Sequence, residues 1–333
     1  MSWRLFDFDD RHTRRSQREA MRHYKAQVRA LKQNEKMAER ERARFEASQY
    51  ENYIQLLLSI HKDCGEIWNW NELLHAPPPA EPQPSQRHEV AARRALAAYS
   101  PGFFERLFGG AKNRMARLQG DLRRASAKDA SENDAAITTF RAEQKLWNAQ
   151  RRLAVAMNQR NPKAYSEVLA HAAPFDELKS FGMQVTVMAS GPDVVALVGQ
   201  ILDGEIIPTD EVKLTAAGKL SSKEMPPGRY WAMFQDHVCG AAIRLARETF
   251  AVLPISRVIV NIRRNQLNTV TGHDEPATIL AVHFLRQALG RLNFDTIDPS
   301  DSMKNFSFRM KFKKTSGFEP VDPITTEEQW VTT

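Results

Sequence analysis

Apolar residues recur along this chain with two periods, and the change between them divides it. From Arg11 to Leu58 there is neither proline nor glycine, and Met21, Tyr24, Val28 and Leu31 step by three and four. That spacing predicts one long helix with a single apolar stripe. The stripe thins through Asn34, Glu35, Ala38 and Arg42 and resumes at Phe45, Tyr53, Ile54, Leu57 and Leu58. The far end of the helix is therefore expected to dock. "DCGEIWNWNELL" ends it at Gly65 and tucks Trp68 and Trp70 away from water. Next comes "APPPAEPQPSQR" (Ala76 to Arg87), with five prolines in twelve residues. Such a stretch is excluded from helix interiors and reads as a stiff, extended linker.

Helical spacing then returns. Met115, Leu118, Leu122 and Ala125 make one stripe, and Ile137, Phe140, Trp147 and Ala154 a second, with polar "SAKDASEN" between them. A turn at that polar segment would fold the two into an antiparallel helical hairpin. Asn161-Pro162 starts a shorter helix running to about Ala172. "SPGFFERLFGG" (Ser100 to Gly110) sets Phe103, Phe104, Leu107 and Phe108 on a short amphipathic turn. Capping a helical core accounts for it, with a partner or membrane foot as the alternative.

After Phe181 the period shifts towards two. "MQVTVMAS", "DVVALVGQIL", "RVIVNIRR", "ATILAVHFL" and "FSFRMKFKK" read as strands. Between the second and third lies a helix whose Trp231, Phe234, Val238, Ala241, Leu245 and Val252 form a buried stripe. The expected fold is α+β: a long N-terminal helix and a helical hairpin followed by a C-terminal mixed sheet domain. The boundaries fall at 1–75 for the basic helix and its Trp-containing end, 76–88 for the linker, 89–175 for the hairpin region, 176–320 for the α+β domain and 321–333 for a tail.

Charge changes the picture at one place. The net charge of +7 is matched by residues 11 to 32 alone, which carry eight Lys or Arg against the single acid Glu19. Arg11, Arg15, Arg18, Arg22, Lys25, Arg29 and Lys32 step by fours and threes, so all seven share one helical face over roughly 30 Å. Like charges at these spacings repel, which favours a counter-surface. A nucleic-acid backbone is the favoured partner. An acidic protein surface, or a second copy joined in a homo-oligomer along the Met21, Tyr24, Val28 and Leu31 seam, is the alternative. A helix merely kept soluble by its arginines explains the stripe at least as readily and needs no partner; an anionic membrane is the weakest reading. Arg309, Lys311 and Lys313 alternate on one face of the last strand and could extend a basic surface.

Candidate catalytic chemistry is thinner. Asp193, Glu211 and Lys213 have the order of a PD-(D/E)xK metal-dependent nuclease, in which two carboxylates hold Mg²⁺ and the lysine polarises the attacked phosphate. A two-residue turn at Asp203-Gly204 would place Glu211 opposite Ala196 and send Asp193 and Glu211 to opposite sheet faces. That opposes the nuclease reading. His61 and Cys64, and Gln235 and Cys239, are each one helical turn apart without a second pair to complete a metal site. His273, Asp274 and Glu275 sit in a predicted loop, and Asp298 and Asp301 have the spacing of a helix cap. Two cysteines, Cys64 and Cys239, make no framework for a disulfide or zinc. No leader or membrane-length apolar run is evident, so a cytoplasmic location is expected. The functional expectation is a non-catalytic binding protein without a cofactor.

Overall fold

The computed structural model describes residues 39–102, 105, 110–202, 206–216 and 219–327. They form two units, one of residues 39–70 with 156–327 and the other Asn71–Val155. The expected α+β class is present, with helices and a mixed sheet. No helix among the described residues is long and apolar enough to cross a membrane.

The sheet unit is built around β2 (Val194–Ile201), which is buried along almost its whole length. A strand apolar on both faces needs neighbours on both edges and cover on both sides. β1 (Met183–Gly191) pairs with it antiparallel, and β5 (Arg257–Asn268) pairs with it parallel on the other edge. β6 (His273–Leu285), β7 (Ser307–Lys313) and β8 (Gly317–Glu319) follow antiparallel, giving the order β1-β2-β5-β6-β7-β8. The five strands expected from the period are all present.

The register expected around Glu211 is not. Ala196 faces Ala189 and Ile259, while Glu211 faces Lys223 in a separate two-stranded sheet of β3 (Asp210–Leu214) and β4 (Leu220–Glu224). The physical reason is burial. Both edges of β2 are taken by strands that match its apolar faces, and the exposed, polar β3 would strand its charges beside them.

The parallel step from β2 to β5 requires a crossover, which contains α6 (Pro227–Val252). Its expected stripe is buried from Phe234 to Val252, with Trp231 half-buried, and Arg244 and Glu248 are buried beside it. One side lies on β5 and β6, and the other meets α1 (Glu39–Leu58) and α5 (Pro162–Ala172). On the opposite sheet face Val194, Ala196, Ile259 and Ala281 pack with Ile324. Asn261 fixes that segment by donating to the Ile324 carbonyl at 3.0 Å and accepting its N–H at 2.9 Å. Asn161 accepts from Lys163 N and so caps α5, with Pro162 in the first turn.

In the other unit the turn expected at "SAKDASEN" does not form. α4 (Gly110–Asn158) is one uninterrupted helix of 49 residues. The two apolar stripes are in phase, because Leu122 and Phe140 are eighteen residues or five turns apart. The polar residues between them lie on the same face and serve backbone groups elsewhere. Asp129 accepts from His88 N and Glu89 N, capping α3 (Arg87–Ala97), and Asn133 bonds Ser85 at both its N–H and carbonyl. Trp147 donates from Nε1 to the Ala76 carbonyl at 3.0 Å. The proline-rich stretch is therefore anchored on α4 at both ends, antiparallel to it.

Three buried histidines make the fold acid-sensitive. Burial depresses the pKa of His61, His237 and His283 below the ordinary histidine value. The unfolded chain takes up these protons near pH 6.5 and the folded chain only at lower pH, so stability falls as pH drops through about 6.5. The denaturant midpoint is expected to be lower at pH 5.5 than at pH 7.5. Equal midpoints would show that the rings protonate in place.

Candidate functional site

Asp193 lies in the turn before β2 and is fully engaged there. One carboxylate oxygen accepts Ser256 N at 3.0 Å, and the other accepts the Ser256 hydroxyl. Arg160 is ion-paired to it, and Arg257 Nε stands 4.0 Å away. These partners tie the β1–β2 turn to the segment before α5 and to the start of β5.

Glu211 lies in the separate two-stranded sheet, opposite Lys223. Lys213 reaches it at 2.9 Å and Arg229 from the start of α6 closes on its other oxygen. The hydrogen bond from Lys213 and the charge of Arg229 hold the Glu211 carboxyl below the usual range. The structure thus joins Glu211 to Lys213 but attaches Asp193 to a different set of partners. The trio expected for Mg²⁺ is spread over two sheets, and its carboxylates already face cations.

The other candidate residues take structural places. Glu275 accepts from Asn268 and Thr271 and closes the β5–β6 turn. Asp298 accepts from Asp301 N at 2.9 Å and caps a short helix, α8 (Pro299–Ser302), as the spacing predicted. Burial pushes the Cys239 thiol far above the ordinary cysteine value, which disfavours the thiolate. Arg309 donates to the carbonyls of Asp322 and Pro323, and Lys313 pairs with Glu319, so the basic alternation of β7 is partly met internally. Arg11, Arg15, Arg18, Arg22, Lys25, Arg29 and Lys32 lie outside the described residues, as do Phe103, Phe104, Leu107 and Phe108.

Among the described residues one group brings three metal-type ligands together, His88, Asp129 and Glu132, with ligand atoms within 4.8 Å of one another. Its geometry is that of a cap. Both Asp129 oxygens are occupied by N–H groups of α3, and the Arg87 guanidinium lies 2.9 Å from Glu132. Arg87 already supplies the counter-charge of Glu132.

No protein-family model, curated protein or solved structure matches this chain. Function therefore rests on the chemistry of its surfaces.

The most conspicuous surface is the first third of α4. Lys112, Arg114, Arg117, Arg123 and Arg124 are exposed over about 18 Å of helix, against one acid, Asp121. Asp121 pairs with Arg124. The other four have no carboxylate within ion-pair distance among the described residues. At 100° per residue, Arg114 and Arg117 fall on one side of the apolar stripe and Lys112 and Arg123 on the other. The sequence signal for this patch was a simple charge count, overshadowed by the denser run at 11–32.

Proposed function

We propose that this chain is a non-catalytic binding protein for nucleic acid, which it holds by its phosphates. The observation that carries the reading is the exposed group Lys112, Arg114, Arg117 and Arg123, which nothing in the described chain neutralises. Lys112 lies in the first turn of α4, which contains no acid. A cation there opposes the helix dipole at a cost of roughly 0.3–1 kcal/mol, so the placement is poor for the helix alone. Cations on both sides of a helix suit a groove, where the two phosphate backbones flank the inserted element. The seven-residue basic stripe at 11–32 adds charge of the same sign from the sequence.

The engagement of Asp193 and Glu211 by arginine and lysine favours binding over hydrolysis. Both carboxylates have counter-cations from the protein itself, and they belong to different sets of partners.

Replacing Lys112, Arg114, Arg117 and Arg123 together by glutamine keeps helix propensity and removes the charge. The affinity of the full chain for duplex DNA or single-stranded RNA is expected to fall at least about tenfold at moderate salt, with the circular dichroism unchanged. An unchanged affinity would defeat the proposal. An acidic protein partner or self-association would show itself differently, as a change of sedimentation or of co-purifying protein with nucleic-acid retention untouched.

A further inference from the structure

A separate feature lies in the other unit, on the outer side of the proline-rich stretch. Every residue from Ala76 to Pro84 except Ala80 is a proline or directly precedes one. Proline fixes its own φ at about −65° and drives the residue before it out of the helical region. The chain here is thereby held to the extended polyproline II form, which repeats every three residues. Burial follows that repeat. Pro79 is buried and Ala76 and Pro82, three residues to either side, are half-buried, while Pro77, Pro78, Ala80, Glu81, Gln83 and Pro84 are exposed.

One ridge of the segment therefore lies on the protein and two are turned to solvent. The inner ridge is fastened at both ends. Trp147 donates from Nε1 to the Ala76 carbonyl at 3.0 Å. Asn133 accepts Ser85 N at 2.9 Å and donates to the Ser85 carbonyl at 3.0 Å. Ser85 follows Ala76, Pro79 and Pro82 on the same ridge, so both clamps act on the side that faces α4. They hold the shape of what lies between them as well as its path.

We propose that the two outward ridges form a docking site for a partner protein with an aromatic-lined groove. Such grooves take polyproline II segments by seating proline rings against aromatic side chains. Pro77 and Pro78 supply adjacent rings on the two ridges, and Pro84 lies two turns beyond Pro78 on the same ridge as Glu81. Glu81 is the only charged residue among the six exposed ones, so a cation at the rim of the groove suits it. An apolar surface whose one charge is negative fits a protein and not a phosphate backbone. Because α4 already holds the segment in its bound form, docking does not have to order it, which sets this surface apart from a free proline-rich peptide. The site is independent of the nucleic-acid reading, whose cations lie in the first third of α4.

The test immobilises the full chain and probes it with an array of purified SH3 and WW domains. At least one domain is expected to bind at a single saturable site, at least about tenfold more tightly to the full chain than to a synthetic peptide of residues 74–87. Pro78→Ala combined with Pro84→Ala should remove that binding. Asn133→Ala, which releases one end of the segment, should bring the full chain towards the affinity of the peptide. Glu81→Arg should weaken binding more at low salt than at high salt. The peptide comparison uses the unaltered protein, so the test stands even if a variant folds poorly. Retention of no domain, equal affinity for chain and peptide, or full binding by the double alanine variant overturns the proposal.

Discussion

Replacing Arg244 by methionine is expected to lower the stability of the sheet unit by about 3–5 kcal/mol, the cost of leaving buried charges without a partner. Arg244 has only 3% of its side chain exposed and is ion-paired to Glu177, itself 9% exposed. Its Nε lies 3.5 Å from Glu248, one turn further along α6, and Asp63 stands 3.9 Å away. Glu248 also accepts Gly65 N at 3.1 Å. One cation thus joins α6 to the 3₁₀ turn Asp176–Phe181 and to the loop after α1. Denaturant unfolding followed by tryptophan fluorescence measures the loss. Adding Glu177→Gln and Glu248→Gln to the same protein should restore much of it, because the stranded charges are then gone. A single variant as stable as the parent would show that water reaches these carboxylates.

This network also marks where the sequence stopped being legible. The apolar stripe of α6 was plain from Trp231, Phe234, Val238, Ala241, Leu245 and Val252. Nothing in that periodicity pointed to burial of Arg244 and Glu248. They are buried because α6 is covered on both sides, and periodicity in one helix carries no information about what covers its far face. The strands were readable from their period of two and the glycine, proline and aspartate around them, and four of the five are also rich in β-branched residues. Pairing was less so. A turn rule applied to Asp203-Gly204 put β3 beside β2, whereas the unbroken apolar run Val194–Val198 already required two apolar neighbours.

The helical hairpin failed for a related reason. Polar "SAKDASEN" resembles a turn, yet it has no glycine or proline, and Asp129 and Asn133 stay in phase with Leu122 and Phe140. Their polarity serves the N-terminus of α3 and Ser85, partners some forty residues away along the chain. Of the candidate sites, Asp298 at the cap was visible in spacing.

The largest effect expected in binding is the response to salt. Eleven cations are candidates for phosphate contact: Lys112, Arg114, Arg117 and Arg123 on α4 with the seven of the 11–32 stripe. If about half of them meet phosphates, roughly six counterions are released, and the slope of log affinity against log salt is about −5. A fourfold rise in salt then weakens binding about 10³-fold. Deleting residues 1–32 should flatten the slope, and the quadruple glutamine variant should flatten it again, since each removes its own share of the contacts. A single direct measurement decides: anisotropy titration of the full chain against a labelled duplex at about 50 and 200 mM salt. The expected result is tight retention at the lower concentration and a loss of about a thousandfold at the higher. No retention at low salt, or an affinity indifferent to the change, would contradict a phosphate-binding role.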